Sequence, residues 1–225
     1  VNKVPRLMDE NQVDVTLGSY NHRRVVGDFN QQTGESSALR VSAMKTTADN
    51  NGAGSSLNKQ GLAGSYRWGI GERDEFTASL YRLENNNGIN YGMPWIKPTS
   101  SGPASTTTLL PVDPSMYYGM ASDYNHGTAT YGTLSHTHRF DGETELTTRV
   151  RRGAFTRDQR ASTIRLTTGE DLSNFGPNTT LTRGTQNKIQ DLDTLYVQSD
   201  LSSKFNAWGM KHELLSGIDI AREQK

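Results

Sequence analysis

The sequence contains no cysteine among its 225 residues, so disulfide frameworks and thiolate zinc sites are excluded. It carries 24 basic and 24 acidic residues, which gives a formal net charge of zero. A nucleic-acid-binding protein needs a basic surface that displaces counterions from phosphates. The charge balance therefore argues against a nucleic-acid partner.

Long apolar segments are missing as well. No apolar run approaches the ~18 residues of a membrane-spanning helix, and no basic and apolar leader follows Val1, so we expect any signal peptide to lie outside this sequence. Hydrophobic residues make up only 32% of the chain. A soluble domain of this length should bury roughly 70% of its unfolded surface, which so few apolar residues could hardly support. A β-barrel that is apolar only on its outer face has no such shortage.

Common enzyme motifs are also absent. The sequence has no G-x-S-x-G elbow, no H-E-x-x-H helix and no phosphate-binding P-loop. A hydrolase on a barrel wall would use a Ser/His/Asp set, for which the five histidines give no positive support. We therefore predict that the chain is not an enzyme.

Alternation of apolar and polar residues is the dominant pattern. Val13, Val15 and Leu17, for example, share one face of the first predicted strand. The same period of two recurs in about nine segments, and helical periodicity is almost absent. The predicted strands cover residues 12–20, 23–33, 37–47, 62–70, 76–80, 127–140, 144–155, 191–205 and 210–223. The predicted fold class is all-β.

The connections between these strands alternate between short and long from the second strand onward. We predict long polar connections at 48–58, 85–126 and 156–190, and tight turns at 141–143 and 206–209. Outer-membrane barrels combine tight periplasmic turns with long extracellular loops, whereas a soluble sandwich has no need for this alternation. Strands of about 10 to 14 residues also suit a tilted membrane strand.

Aromatic residues cluster near the short turns. The rings concerned are Phe29, Trp68, Phe76, Phe140, Phe205 and Trp208. A girdle of rings at headgroup depth predicts this placement, although aromatics can also cap hairpins in any β protein. Together with the alternating connections, the rings favour an antiparallel transmembrane β-barrel in the outer membrane of a Gram-negative cell.

The predicted strands cannot close a barrel by themselves. Nine is an odd number, whereas single-chain bacterial barrels use even numbers of strands. The last predicted strand, ending at residues 221–223, leaves an edge that can pair with a further strand. We therefore infer a partial barrel, and a complete plugged barrel of about 22 strands would need roughly 500 residues at this spacing.

Three segments carry a family resemblance. The opening VNKVP (residues 1–5), followed by VDVTLGSY (13–20), resembles the junction between plug and barrel in TonB-dependent siderophore receptors. GINYGMPW (88–95) is similar to a "DYGLPW"-type loop of this family, and KHELLSGID (211–219) is similar to its "H-x-L-L-x-G-x-E/D" strand. The segments occur in the family's order along nearly the whole chain.

The resemblance implies domains, function and partners. Residues 1–8 would be the end of the plug domain with its linker, and residues 9–225 the N-terminal part of the barrel. The implied function is active uptake of ferric siderophores across the outer membrane. Energy would come from a TonB–ExbB–ExbD complex acting on an N-terminal TonB box. The other implied partners are outer-membrane lipid and lipopolysaccharide, and the iron would travel as its siderophore complex, without a resident cofactor.

Aromatic side chains in the predicted 85–126 loop are candidate siderophore contacts. They are Tyr91, Trp95, Tyr117, Tyr118 and Tyr124. Aromatic rings can stack on the flat faces of a siderophore, and their polar tips can orient it. The alternative is that these rings pack the loop against its neighbours.

Two arginines are the remaining candidate contacts. Arg149 and Arg151 share a strand face opposite Val150, so we predict that both point into the barrel lumen. A guanidinium can bind carboxylate or catecholate oxygens through two hydrogen bonds. The alternative is that the arginines pair with plug or barrel-wall carboxylates, or with lipopolysaccharide at the rim.

His136 and His138, two residues apart on a strand, share a face and form a possible metal-ligand pair. Both lie close to the turn at Asp141, far from the long loops. Because iron would arrive already chelated, ligation by the protein is unnecessary, and we predict no metal site.

Two other function classes compete with the receptor hypothesis. A passive porin or sugar channel would share the barrel but lack a plug. A secreted β-rich adhesin or lectin would have polar outward faces.

Overall fold

The computed structural model describes residues 3–50, 55–90, 95–96, 108–113, 116–170, 172 and 175–225. Within these ranges the chain is almost entirely β-structure. No helix in them is long and apolar enough to cross a membrane. The predicted all-β class is confirmed.

Nine strands form a single antiparallel sheet in chain order. They are β1 (Glu10–Gly18), β2 (His22–Gly34), β3 (Ser37–Asn50), β4 (Ser55–Trp68), β5 (Asp74–Asn87), β8 (Tyr124–Arg139), β9 (Thr144–Leu166), β10 (Leu181–Ala207) and β11 (Met210–Gln224). Two further strands, β6 (Trp95–Ile96) and β7 (Thr108–Leu109), pair separately within the connection between β5 and β8. In the described part of the chain, β1 and β11 are the two edges of the main sheet.

The sheet has two distinct ends. At one end, called here the short-turn end, the strands are connected by residues 35–36, 69–73, 140–143 and 208–209. At the other end, called here the long-loop end, they are connected by residues 19–21, 51–54, 88–123 and 167–180. This arrangement results from antiparallel pairing of consecutive strands, because every second connection must fall at the same end. The longest connection, 88–123, lies where the sequence predicted it.

Two predicted loops are largely strand instead. β3 and β4 extend into the predicted 48–58 connection, and β9 and β10 occupy most of the predicted 156–190 segment. The β9–β10 pairing continues without interruption to Leu166 opposite Leu181. The prediction was wrong here because side chains on both faces of these extensions are largely polar. Hydrophobic alternation disappears there, although the backbone hydrogen bonds continue.

One face of the sheet, called here the outer face, is apolar across almost its whole width. A row of paired positions running from β3 to β11 consists of Leu39, Tyr66, Ala78, Leu134, Val150, Val197 and Ile220. Several of these side chains are exposed; Leu134 and Ile220, for example, are 53% and 60% accessible. Few apolar side chains are buried among the described residues: Pro5, Ala38, Leu110 and Ala161. Within the described ranges, no second layer of the chain therefore covers the outer face.

The opposite face, called here the inner face, is polar. The adjacent row of paired positions, running from β2 to β10, reads Asn30, Arg40, Ser65, Ser79, Thr133, Arg151 and Tyr196. An apolar row beside a polar row is the pattern of a barrel wall that faces lipid on one side and an aqueous lumen on the other.

The segment before β1 lies against the inner face. Pro5 is fully buried, and the Arg67 guanidinium donates a hydrogen bond to its carbonyl at 3.4 Å. The Asn30 amide binds the Arg6 backbone through both its oxygen and its nitrogen, each at 2.9 Å. Lys3 forms an ion pair with Asp28. The segment is therefore held along β2 and β4 by specific contacts.

Aromatic rings line the short-turn end, as predicted. Stacked pairs on the outer face are Tyr66–Trp68, Trp68–Phe76, Phe76–His136 and Phe205–His212. Trp208 sits in the last turn and is 89% exposed. The arrangement is that of an interfacial aromatic girdle.

Candidate functional site

Arg149 and Arg151 both lie on the inner face of β9, as predicted. Val150 between them belongs to the apolar row of the outer face. The two arginines line a concave pocket of about 500 Å³, whose other walls are residues of β3, β4, β5 and β8 together with Lys3 and Val4 of the segment before β1. This volume falls within the roughly 300–1,000 Å³ typical of small-molecule sites.

Arg151 lies over an aromatic pair. Its guanidinium carbon is 4.9 Å from the centroid of the Tyr131 ring, and its Nε donates a hydrogen bond to Thr133 Oγ1 at 3.0 Å. The Tyr131 ring in turn stacks on Tyr81, with centroids 4.7 Å apart. A cation above stacked rings is held by attraction to their π-faces. The group offers a ligand both positive charge and flat apolar surface.

The two arginines differ in how their charge is compensated. Arg149 Nη1 lies 3.3 Å from Asp200 Oδ2, in an ion pair whose arginine side chain is 47% exposed. No carboxylate of the described residues lies within ion-pair distance of Arg151. In the part of the chain that the structure describes, Arg151 therefore presents the less compensated charge to the pocket.

Tyr117 and Tyr118 are held within their own loop. The Tyr117 hydroxyl lies 3.1 Å from the carbonyl oxygens of both Ile89 and Met120, and 3.4 Å from Asp123 Oδ2. Burial, together with the nearby Asp123 carboxylate, raises the pKa of the Tyr117 phenol. The Tyr118 hydroxyl donates to the Asp113 carbonyl at 2.8 Å. These contacts organise the loop, and the predicted siderophore contacts of both rings stay predictions.

Tyr124 lies away from the arginines. By register it occupies the same face as His126, on which its ring stacks with centroids 4.6 Å apart, and its hydroxyl donates to Asp158 at 3.0 Å. This is the outer face at the long-loop end. The structure therefore does not bring Tyr124 together with Arg149 and Arg151.

Two further candidates can be placed only in part. Tyr91 lies outside the described residues. The backbone of Trp95 pairs with Leu109 in the short β6–β7 ribbon, whereas its side chain lies outside the description. Both remain predictions.

Asp123 fixes the end of the long loop, a role that the sequence analysis missed. Its carboxylate accepts hydrogen bonds from the backbone amide of Met120 at 3.0 Å, and from the amide and hydroxyl of Ser162 at 3.0 and 2.9 Å. Arg183 adds a bond from Nε to the Tyr118 carbonyl at 2.7 Å. The loop before β8 is thus attached to the extended β9–β10 hairpin, which the sequence had predicted as a loop.

The Tyr81–Tyr131 pair was also missed. Period-two alternation places each tyrosine on a face of its own strand, but it says nothing about which residues of β5 and β8 stand opposite one another. The 88–123 connection separates the two strands, so no turn geometry determines their register. Only the folded sheet pairs Tyr81 with Tyr131.

Comparison with known proteins points to one group of receptors. No protein-family model matches the chain. Over 99% of its length the chain is 27% identical to the catecholate siderophore receptor Fiu of Escherichia coli O6:H1, and 26% identical to Fiu of strain K12. The chain spans about 30% of the length of these curated relatives.

Solved structures show the same fold. The closed form of the ferric-catecholate import receptor Fiu from E. coli K12 superposes with a TM-score of 0.83, at 22% identity, over 98% of this chain and 32% of that one. The siderophore receptor PiuA from Acinetobacter baumannii gives a TM-score of 0.84 at 21% identity, covering 98% and 31%. The predicted resemblance to siderophore receptors is confirmed, and the nine-stranded sheet has the fold of a section of such a receptor.

Proposed function

We propose that this chain forms part of the barrel of an outer-membrane receptor that takes up ferric siderophores by TonB-dependent active transport. The observation that carries the proposal is the similarity to siderophore receptors in sequence and fold along almost the whole chain. These relatives are named as receptors, which favours transport over catalysis. The chain aligns with about 30% of each curated relative, so the proposal extends to activity that needs other parts of the receptor.

The outer-membrane location is supported by the distribution of apolar surface. An exposed apolar outer face beside a polar inner face suits lipid on one side and water on the other. The same outer face would contact lipopolysaccharide near the long-loop end. A secreted adhesin or lectin would need polar outward faces, which the apolar row from Leu39 to Ile220 does not provide.

For the ligand we propose a ferric catecholate. The Fiu relatives are named as catecholate receptors. A ferric tris-catecholate combines a negative charge with flat aromatic rings. Arg151 over the Tyr81–Tyr131 pair presents the complementary surface: a cation for the catecholate oxygens and π-faces for the rings. The iron would be cargo, held by the siderophore's own oxygens.

The transport step would act on the segment before β1. Residues 1–8, proposed as the end of the plug and its linker, include Lys3, Pro5 and Arg6, whose contacts hold the segment on the inner face. A TonB–ExbB–ExbD complex that pulls on the plug would put these contacts under mechanical strain. The capture site would remain on the barrel wall while the plug rearranges and opens the lumen.

The test compares neighbouring arginines on opposite faces of one strand. The full-length receptor, refolded in detergent, is titrated with a ferric tris-catecholate siderophore while tryptophan fluorescence is followed. We expect Arg149→Gln and Arg151→Gln each to weaken binding about tenfold, since a hydrogen bond to a charged group contributes roughly 1.5–3 kcal/mol. Arg152→Gln is the matched control. Arg152 stands opposite Gly132 and Leu195 on the outer face and should not affect affinity.

A neutral ferric tris-hydroxamate distinguishes the ligand class, because it lacks the charge that the arginines would recognise. Saturable catecholate binding that depends on Arg149 and Arg151 supports the proposal. Failure to bind either siderophore, together with steady ion conductance in planar bilayers, would favour the passive channel instead.

A further inference from the structure

Three metal-ligating side chains meet on the outer face near the short-turn end. Asp74 is the first residue of β5, and His136 and His138 lie near the end of β8. The strand register places Asp74 opposite His138 and Phe76 opposite His136. From the sequence, which offered the two histidines without a third ligand, we predicted no metal site; the structure adds the carboxylate of Asp74, 62 residues before His136, and this is the reason to revise that prediction.

The distances between these donor atoms suit a single ion. His136 Nε2 lies 2.9 Å and His138 Nδ1 2.7 Å from the same Asp74 oxygen, Oδ1, and the three ligand atoms all lie within 4.8 Å of one another. A tetrahedral zinc ion with bonds of about 2.0–2.1 Å holds its ligand atoms roughly 3.3 Å apart. Small side-chain shifts would therefore admit an ion between the carboxylate and the imidazoles.

Both imidazole rings are held in place by neighbouring aromatic rings. His136 stacks on Phe76 with centroids 4.4 Å apart and an interplanar angle of 8°, and Phe76 in turn stacks on Trp68. The His138 ring stands edge-on to Phe140 at 4.7 Å. Ligands whose orientation is set by packing lose little freedom when they bind, and this favours affinity.

The cluster is open to solvent yet anchored in the sheet. The side chains of His136, His138 and Asp74 are 40%, 24% and 46% exposed, which leaves room for water molecules to complete a coordination shell. All three point to the outer face, away from the inner-face pocket lined by Arg149 and Arg151. The cluster is thus separate from the proposed siderophore site.

We propose that Asp74, His136 and His138 form a binding site for a divalent transition-metal ion such as Zn²⁺ or Cu²⁺. Imidazole nitrogen and carboxylate oxygen are ligands that suit these ions, whereas Mg²⁺ and Ca²⁺ take oxygen ligands. A bound ion would join β5 to β8, the two neighbouring strands of the main sheet that are separated by the longest connection. The ion would cross-link these two strands at the level of the aromatic girdle, and it would be distinct from the transported iron.

The first test is calorimetry with Zn²⁺ on the full-length receptor in detergent, after treatment with a chelator. We expect saturable binding of Zn²⁺, with affinity at this site reduced at least about tenfold in Asp74→Asn and in His138→Gln. Asp74→Asn keeps the size of the side chain but removes its charge. His212→Phe is the matched control, because His212 lies at the same end beside Phe205 and, among the described residues, is hydrogen-bonded to a backbone carbonyl, that of Ala207, and not to a carboxylate.

The second test uses Cu²⁺ and electron paramagnetic resonance, which counts coordinated nitrogens. The unmodified receptor and Asp74→Asn should show two imidazole nitrogens at this site. His136→Phe, which keeps a ring stacked on Phe76, should show one. Heat-modifiable migration on gels confirms that each variant is folded. Zn²⁺ binding that is unchanged in both Asp74→Asn and His138→Gln, or copper spectra without the nitrogen signal, would overturn the proposal.

Discussion

Asp28 and Arg40 form a bidentate ion pair on the inner face, with Arg40 Nε 2.9 Å from Oδ1 and Nη2 2.6 Å from Oδ2 of the carboxylate. Their side chains are only 4% and 11% exposed. Ser42 donates a further hydrogen bond to Asp28 at 2.7 Å, and Lys3 pairs with the same carboxylate. One buried carboxylate therefore joins β2, β3 and the segment before β1.

Arg40→Gln should destabilise the barrel strongly. Removing one partner leaves a buried charge poorly compensated, which costs about 3–5 kcal/mol, and we expect the lower end of this range because Lys3 and Ser42 remain. The free energy of unfolding can be measured by urea titration of the full-length receptor in lipid vesicles. Arg82→Gln is the control, since Arg82 lies 3.7 Å from Glu84 in an exposed pair and should cost less than about 1 kcal/mol. Equal losses in the two variants would contradict this account.

The assignment of the two faces predicts opposite responses at neighbouring positions of β5. Ala78 lies in the apolar row of the outer face, whereas Ser79 lies in the polar row of the inner face. Ala78→Lys should destabilise the protein in lipid by about 2–4 kcal/mol, because the ammonium group would enter the apolar band. Ser79→Lys should cost much less. Folding yield into vesicles, read from heat-modifiable migration, measures both, and an Ala78→Lys variant that folds normally would favour a soluble β protein.

The attachment of the long loop through Asp123 can be tested by proteolysis. Asp123→Ala leaves the 4%-exposed Ser162 without its carboxylate partner, and an unsatisfied buried polar group costs about 1–3 kcal/mol. We therefore expect faster cleavage within 88–123, measured by mass spectrometry after brief digestion of the folded receptor. Asp141→Ala, in a turn at the opposite end, should leave this cleavage rate unchanged. Protection of the loop that survives in Asp123→Ala would show that other contacts hold it.

The aromatic pair beneath Arg151 should contribute to ligand binding through its rings. Tyr131→Phe keeps the stack on Tyr81 and the π-face under the guanidinium, so we expect catecholate affinity within about twofold of the unmodified receptor. Tyr131→Leu loses both contacts and should weaken binding about fivefold, since a stacking or cation–π contact contributes roughly 1 kcal/mol. Isothermal titration measures the difference. Equal affinities in the two variants would exclude a role for the ring.

Much of the fold was predictable because the sequence patterns that indicate it involve residues close together in the chain. Period-two alternation located nine strands, and the same rule correctly placed Arg149 and Arg151 on one face with Val150 on the other. Aromatic rings near tight turns predicted the girdle at the short-turn end. The alternation of apolar and polar residues ends where both faces of the strands become polar, so the sequence did not predict the extension of β9 and β10 to Leu166 and Leu181.

The sequence by itself determined the strands, their two chemically different faces and the resemblance to siderophore receptors, because alternation and short motifs are properties of neighbouring residues. Tertiary structure alone decided which residues meet across strands. The pairing of Asp74 with His136 and His138, and of Tyr81 with Tyr131, spans the longest connection of the sheet. The register of two strands joined by such a connection is set by the hydrogen bonds and packing along their whole length. It therefore cannot be predicted from a local pattern in the sequence.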